Sequence, residues 1–575
     1  MTLSLPIDRS EYGSAWADSL AGLLVRLHEN QGGNPQHTLR IAGLTRDICM
    51  ALDGGHSCLD KPHLGKVAFY RSPVIVSADQ ALQRIAPLVL EQNRLYLYRY
   101  WFDEYQLAEA IQQLNRAIPV TLSRDEIQHI CAQTHSAQQQ AIEVALGQGL
   151  AIITGGPGTG KTFTLVRILM ALLQQNPQLN VALAAPTGKA AARMQEALRN
   201  SLEQTPLAAD LLSVLPNTAF TLHRLLGMGH GTQAKFNRSQ PLPYDLVIVD
   251  EASMIDLRMA TQLLSAIAPT ARLILLGDAN QLAAVEAGAV LAEISKARSL
   301  KHSCVQLTES QRFGSDSGIG QLASAMCDGN IEKTNQVLKR GLADVQYRPL
   351  ETPEPLAQKL FQPYSPLVEA LKTQQPITDI LKAFDQYRVL CALREGNYGV
   401  FSINQRLSVL LQRALLLPED SSNVWFHGRP VMVTQNDYTL GVFNGDIGIT
   451  LEESDGFYVY FPARDGDPMR VSAARLAHSE TALALTIHKS QGSEFKQVAV
   501  VLPKEDTAIL TRELLYTGIT RAKSVVSIWG LSSLIDKAVQ RKTQRASGLQ
   551  AKLDSESHYD EGMIDDAEAY MDTFD

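Results

Sequence analysis

Residues 155–162 read "GGPGTGKT", set between an apolar run, "GLAIITG", and a helical one, "TFTLVRILMALLQQ". A glycine-rich turn leading from a buried strand into a helix points several backbone N–H groups at one place, which suits phosphate oxygens. It also demands a strand before it and a helix after it, and such units bury both faces of a parallel sheet under helices. Gly155, Gly156, Pro157, Gly158, Thr159 and Gly160 shape the loop, Lys161 is expected to neutralise β/γ oxygens, and Thr162 to reach a metal ion. The implied cofactors are ATP and Mg²⁺.

The same alternation continues through "NVALAAP", "DLVIVDE" and "ARLILLGD", short apolar runs that end in polar or glycine residues, with helical stretches between them. Residues 126–345 are therefore expected to form a doubly wound α/β domain, whose ligands sit outside the carboxyl ends of the strands. A second α/β set, "QYRVLCAL", "ALALTIH", "QVAVVLP" and "VVSIWG", places another such domain over 346–423 and 481–552. Between its halves, residues 424–480 switch to short runs around "NGD" and "RDGD", read as an inserted β-barrel (SH3-like) or hairpin module. Residues 1–125 have helical spacing and are read as a mainly α N-terminal domain.

With 575 residues the chain exceeds what one core can serve. No run approaches the length of a membrane span and the first residues lack a signal peptide's pattern, so a cytoplasmic protein with no membrane partner is expected. The six cysteines show no CxxC spacing and are read as reduced thiols. Net charge of −8 argues against nucleic acid only superficially. Residues 553–575 hold nine acids and no Lys or Arg, leaving a body of 52 basic against 51 acidic residues. That tail is read as solvated and disordered, or as a decoy that competes with a phosphate backbone.

Chemistry gathers at the predicted strand ends. Asp250 and Glu251 close "DLVIVDE", where one carboxylate suits Mg²⁺ and the next suits activation of an attacking water. In "GDANQLAAVEAG", Asp278 and Gln281 fall near the same edge, and a Gln amide there can sense a γ-phosphate. Thr187 and Lys189 of "APTGKAAARM" and His223 of "TLHRLLG" lie on the carboxyl side of the sheet, where hydroxyls and N–H groups suit phosphodiester oxygens.

Eight segments occur in a fixed order: "GGPGTGKT", "APTGKAAARM", "TLHRLLG", "VDEASMID", "GDANQLAAVEAG", "QRFGSDSGIG", "TIHKSQGSEF" and "LLYTGITRAK". That order resembles the superfamily 1 helicases. With "RLYLYRYW", "HSCL", "LREGNYGV", "GRPVMV" and "NGDIG", nearly the whole chain looks like the RecD family, the alpha subunits of exodeoxyribonuclease V (RecBCD).

The resemblance implies two RecA-like domains with ATP between them, and single-stranded DNA across their tops with 5′-to-3′ translocation. It further implies RecB-like and RecC-like partner subunits acting on DNA ends in double-strand break repair. Gln138 matches an adenine-contacting glutamine, with Gln139 and Gln140 leaving the register open. Arg312 and Arg521 match arginine fingers, which offset charge on a transferring phosphoryl group. Thr486 and His488 match DNA-side positions, while Gln491, Gly492 and Glu494 would communicate with the nucleotide. Three residues depart from the family pattern: Phe163 where Thr is usual, Ala284 where Ser is frequent, and Gly518 where Ala is usual. Stand-alone RecD-like helicases and an ATPase-inactive structural subunit are the competing readings. The former usually carry a longer N-terminal extension, and the latter would need a lost Lys161, Glu251 or Arg521.

Two regional expectations complete the reading. The segment 227–243, "GMGHGTQAKFNRSQPLP", is read as a small hairpin; the resemblance implies that it and the inserted module 424–480 flank the DNA path, with Lys235 and Arg238 on the DNA backbone. The six aromatics between Tyr96 and Tyr105 are read mostly as a buried strand running into a helix, with one or two rings left exposed for partner docking.

Overall fold

The computed structural model describes residues 15–62, 64, 72–132, 134–203, 218–229, 234–310, 312–314, 316–418, 424–437, 439–462 and 467–555. Among these described residues, twenty strands in four sheets make up the framework.

The N-terminal region pairs two antiparallel helices, Ala15–Asn30 and Thr38–Asp53, with a small sheet. Its strands are β1 (Leu59–Asp60), β2 (Ile75–Ser77), β3 (Leu88–Glu91) and β4 (Arg94–Leu97), in the order β1-β4-β3-β2. Helices still make up most of this region, and the small sheet beside them was not expected from the sequence: its strands are two to four residues long, too short for a visible period. Strand β4 runs directly into the helix Tyr98–Leu114. Tyr96, Tyr98, Trp101, Phe102 and Tyr105 are all buried, so this cluster is core and offers no exposed docking rings, with Tyr100 only partly buried. The far end of the same helix, Leu107 to Leu114, joins the core of the next domain.

That domain holds β5 (Leu150–Gly155), β6 (Val181–Ala185), β7 (Phe220–Thr221), β8 (Leu246–Val249), β9 (Arg272–Gly277) and β10 (Cys304–Leu307). All its pairings are parallel, in the order β10-β5-β9-β8-β6-β7. Every residue of β5, β6, β8 and β9 is buried, as expected for strands covered by helices on both faces. The segment 227–243 forms turns but no strand among its described residues. Asn237 and Gln240 exchange backbone hydrogen bonds around a tight turn, Asn237 also accepts from the Ser239 and Gln240 amides on its side chain, and Leu242 is buried in the domain core.

The second motor domain contains β11 (Val345–Arg348) and β12 (Tyr387–Cys391). The inserted module follows, with β13 (Pro430–Val433), β14 (Ile447–Glu453), β15 (Gly456–Phe461), β16 (Met469–Ser472) and β17 (Ser479–Thr481). Then β18 (Ala484–Thr486), β19 (Phe495–Val501) and β20 (Ala522–Trp529) complete the parallel sheet β11-β20-β19-β12-β18. The insert is antiparallel, β16-β15-β14-β13-β17, around its own core of Val431, Val459 and Val471. Among the described residues its outer strands do not pair, so it is an open five-stranded sheet instead of a closed barrel.

Two boundaries differ from expectation. The helices Gly318–Cys327 and Ile331–Lys339 pack Ile319, Leu322, Met326 and Val337 against Val498 and Val500, so the second domain begins near Phe313 and not at 346. Residues after Thr543, which still donates to Glu513, leave the second domain, and the helix Leu549–Asp554 buries Leu549 and Leu553 in the first domain's core. The acidic tail thus starts after Ser555, and residues 556–575 lie outside the described residues.

Candidate nucleotide cleft and nucleic-acid face

The P-loop turns out of β5 into the helix Lys161–Gln175. Gly158 and Gly160 have φ of 75° and 81°, a region that favours glycine. Space excludes side chains there too. A Cβ on Gly158 would lie 2.2 Å from Arg312 Cβ, and one on Gly160 2.6 Å from Gln138 Nε2. Gln138 is buried, and its Oε1 accepts from the His135 amide, whereas Gln139 binds Glu143 at the surface. Of the three glutamines, Gln138 is therefore the one set against the loop.

Lys161 Nζ donates to the carbonyls of Gly155 and Gly156 at 2.7 and 3.1 Å. Beside it, Asp250 ends β8. Burial and the adjacent Glu251 push the Asp250 carboxyl up to about 6, against the pull of Lys161. Glu251 has φ of 53°, a strained conformation for a residue with a Cβ, and its amide donates to Asp250 Oδ1 at 2.8 Å. Two crowded carboxyls at a strand end fit a divalent cation, so Thr162 and Asp250 are the residues here that would hold Mg²⁺.

Both domains enclose the cleft, a cavity of about 420 Å³ lined by Lys161, Thr162, Asp250, Glu251 and Gln281 from the first. Gly492, Glu494 and Arg521 line it from the second, with Arg312 on the segment between. Pro157, Gly158 and Gly160 complete its floor, while Gly156 and Thr159 face a separate cavity behind the loop and Gly155 ends β5. Arg521 is buried and donates to the carbonyls of Thr517 and Ser493. Gly518, on the turn before it, explains its own departure: a Cβ there would meet Ile487 Cδ1 at 3.1 Å, tighter than packing normally allows.

Sequence reasoning missed Arg193. From the helix Gly188–Glu203 it pairs with Glu494 across the cleft, and Arg312 Nη1 binds the other Glu494 oxygen at 2.6 Å. Burial opposes ionisation of Glu494, yet Arg193 and then Arg312 hold its pKa below the usual range. The signal was present in "GKAAARM", but its partner lies 301 residues away.

The expected nucleic-acid residues lie outside the cavity. Thr187, at the mouth of β6, accepts from the Ala190 amide, and Thr486, at the mouth of β18, accepts from the Lys489 amide. His488 follows on the same turn. His223 is exposed on the short helix Leu222–Leu225. Lys189 is placed differently: its Nζ stands 5.7 Å over the Phe495 ring, in the seam between domains. The insert reaches this face, since a Cβ on Gly188 would lie 3.8 Å from Phe443 Cβ and 3.9 Å from Thr221 Cγ2.

Comparison with known proteins follows this division. An AAA domain family matches residues 138–287, and a UvrD-like helicase C-terminal domain family matches residues 481–528. "RecBCD enzyme subunit RecD" of Mycobacterium tuberculosis is 38% identical over 534 residues, 90% of this chain and 92% of that protein. The chain belongs to the RecD family. Haemophilus influenzae RecD is 33% identical over 84% of this chain and 83% of its own length. The "ATP-dependent RecD2 DNA helicase" of Deinococcus radiodurans is 30% identical over 79% of this chain but only 57% of its own length. The six cysteines are unpaired, and no helix among the described residues is long and apolar enough to cross a membrane.

Proposed function

We propose that this chain is the ATP-driven 5′-to-3′ single-stranded-DNA translocase and helicase subunit of a RecBCD-like helicase and nuclease complex. One observation carries the reading: Lys161, Asp250 and Glu251 of one domain face Arg312 and Arg521 across a single cavity. Lys161 holds phosphate oxygens, Glu251 orients and deprotonates the attacking water, and Arg312 and Arg521 offset charge that grows on the transferred phosphoryl group. Mg²⁺ bound with the nucleotide would supply further charge neutralisation at the same oxygens. Gln281 reads the nucleotide's state, and Gln138 contacts its base.

The DNA face is assigned to Thr187, His223, Thr486 and His488, with Lys189 at its inner edge. Hydroxyls and N–H groups at these strand mouths favour sugar–phosphate contacts over base readout. The Phe443 loop of the insert flanks the same path.

Partners follow from the relatives, whose printed names set RecD within the RecBCD enzyme. Residues 1–125 are assigned to docking a RecC-like subunit. With the aromatic cluster buried, the contact falls to Trp16 and Leu23, two helical turns apart and 41% and 45% exposed. The complex, assembled with its partner subunits, is tested on duplexes with a 5′ or a 3′ single-stranded overhang, with any ATP hydrolysis by the partner subunits blocked by mutation. Unwinding from the 5′ overhang alone is expected. Unwinding from the 3′ overhang alone rejects the polarity.

A further inference from the structure

The loop that follows Gln281 is tied down at both ends by other parts of the chain. At its start, the Leu282 amide donates to Thr517 Oγ1 at 2.9 Å, and Gln491 Nε2 donates to the Leu282 carbonyl at 2.8 Å, both from the second domain. At its end, the Gly288 amide donates to the Gly55 carbonyl of the N-terminal domain at 3.0 Å. Between these ends the loop belongs to no helix or strand, and Val285 at its tip is exposed.

Arg545 spans that gap. It lies in the strap that leaves the second domain after the helix Ser532–Gln540 and returns over the first. Its guanidinium donates to the carbonyls of Glu286 and Gly288, each at 2.6 Å, and to that of Ala284. The next residue anchors the strap: the Ala546 amide donates to His56 Nδ1 at 2.8 Å, and its carbonyl accepts from the Ser57 amide at 3.0 Å. A guanidinium is a rigid fork of five donors, so it can bind three carbonyls at fixed spacing where an ammonium cannot. Burial first, and the Arg545 charge second, lower the proton affinity of His56 and of His488. Arg545 therefore stands within electrostatic reach of the N-terminal domain and of the 486–494 turn.

We infer that Arg545 is a positioning residue for ATP hydrolysis, fixing the 282–288 loop so that Gln281 keeps its place in the cleft, and Asp278 its place behind Gln281, while the two motor domains move. It touches neither nucleotide nor DNA and acts through the loop's carbonyls. The inference rests on the ATP-driven motor proposed above. If the loop were free to shift, Gln281 would lose registry with the phosphates in the transition state more than in the ground state, a loss read in kcat rather than KM.

The test compares Arg545→Ala, Arg545→Gln and Arg545→Lys with wild type in the full-length chain, assembled with its partner subunits. Readouts are kcat and KM for ATP with single-stranded DNA, active sites titrated by nucleotide binding, and melting temperature. The expected result is a fall of about tenfold in kcat per titrated site for the Ala and Gln variants, with KM within about twofold and partial recovery by Lys. If Arg545→Ala does not fold, the polar Gln and the longer, charged Lys variants give the same reading. Unchanged kcat per site, with only melting temperature or the number of active sites lowered, overturns the inference and leaves a structural tie. A wild-type complex without DNA-stimulated hydrolysis in this subunit would instead overturn the motor reading beneath it.

Discussion

Tyr516 of the second domain donates its phenolic proton to Asp278 Oδ2 of the first at 2.8 Å. Asp278 is buried, and burial raises its pKa against the pull of Lys161 and of hydrogen bonds from Asn280, Tyr516 and Gln281. The hydroxyl thus steadies a carboxylate that water does not reach, on the residue that also accepts from the Gln281 amide.

Tyr516→Phe removes that donor with little change in shape. A hydrogen bond to a charged group contributes about 1.5–3 kcal/mol, so the variant is expected to lose stability in that range. The turnover number for ATP should fall as Gln281 loses its steadied partner. Denaturant unfolding and steady-state kinetics of the variant check both.

Glu494 is the acidic hub between Arg193 and Arg312. Glu494→Gln leaves two guanidinium groups facing each other across the cleft without their carboxylate. Removing one partner of a half-buried pair is costly because the others stay desolvated. The expected outcome is a drop in kcat for ATP of at least about tenfold, with single-stranded-DNA binding retained. Stopped-flow kinetics and fluorescence anisotropy separate the two. Wild-type kcat would remove Glu494 from any role in closing the cleft.

Glu293 gives a pH signature. Burial first, with the nearby Glu104 adding, pushes its carboxyl up to about 7. Its folded pKa therefore exceeds the ordinary value of 4.5, so the folded state holds the proton more tightly than the unfolded one. Stability attributable to Glu293 falls as pH climbs from about 4.5 to about 7 and stays level above, with an upper bound of about 3 kcal/mol. Glu293→Gln should flatten that window, raising the melting temperature at pH 8 and leaving it unchanged at pH 4.5. Melting curves at the two pH values decide the matter.

Lys235 and Arg238 lie on the loop proposed to flank the DNA, and Arg238 also stands 3.9 Å from Glu109. Neutralising both should weaken DNA binding evenly across sequences and reduce the salt slope by about 1–2. Binding isotherms over a range of salt measure that slope. An unchanged slope would place the loop away from the DNA.

What the sequence disclosed and what it hid divide by distance along the chain. The P-loop was legible because its glycines, lysine and flanking elements are contiguous, and Gly158 and Gly160 do take the left-handed backbone that the pattern requires. Runs such as "DLVIVDE" were legible because strands buried on both faces leave an unbroken apolar stretch. Arg193 and Arg545 were not, since each acquires meaning only from a partner hundreds of residues away. The segment 227–243 was less legible, since its glycines and polar residues suit a loop as well as a hairpin. In the N-terminal domain, short strands and a helix that serves two cores at once left no clean period. The aromatic cluster was accordingly read as mostly buried with one or two rings exposed, whereas Tyr96, Tyr98, Trp101, Phe102 and Tyr105 are all buried.

The measurement closest to the central claim is the rate of ATP hydrolysis by this subunit with and without single-stranded DNA, comparing wild type with Lys161→Gln. In the assembled complex any ATP hydrolysis by the partner subunits is first blocked by mutation, and DNA binding is recorded on the same samples. The account predicts DNA-stimulated hydrolysis in wild type and its loss in Lys161→Gln, because Lys161 acts on phosphates, with DNA affinity unchanged because the DNA face lies outside the cavity. Full hydrolysis by Lys161→Gln, or loss of DNA binding together with hydrolysis, would contradict it.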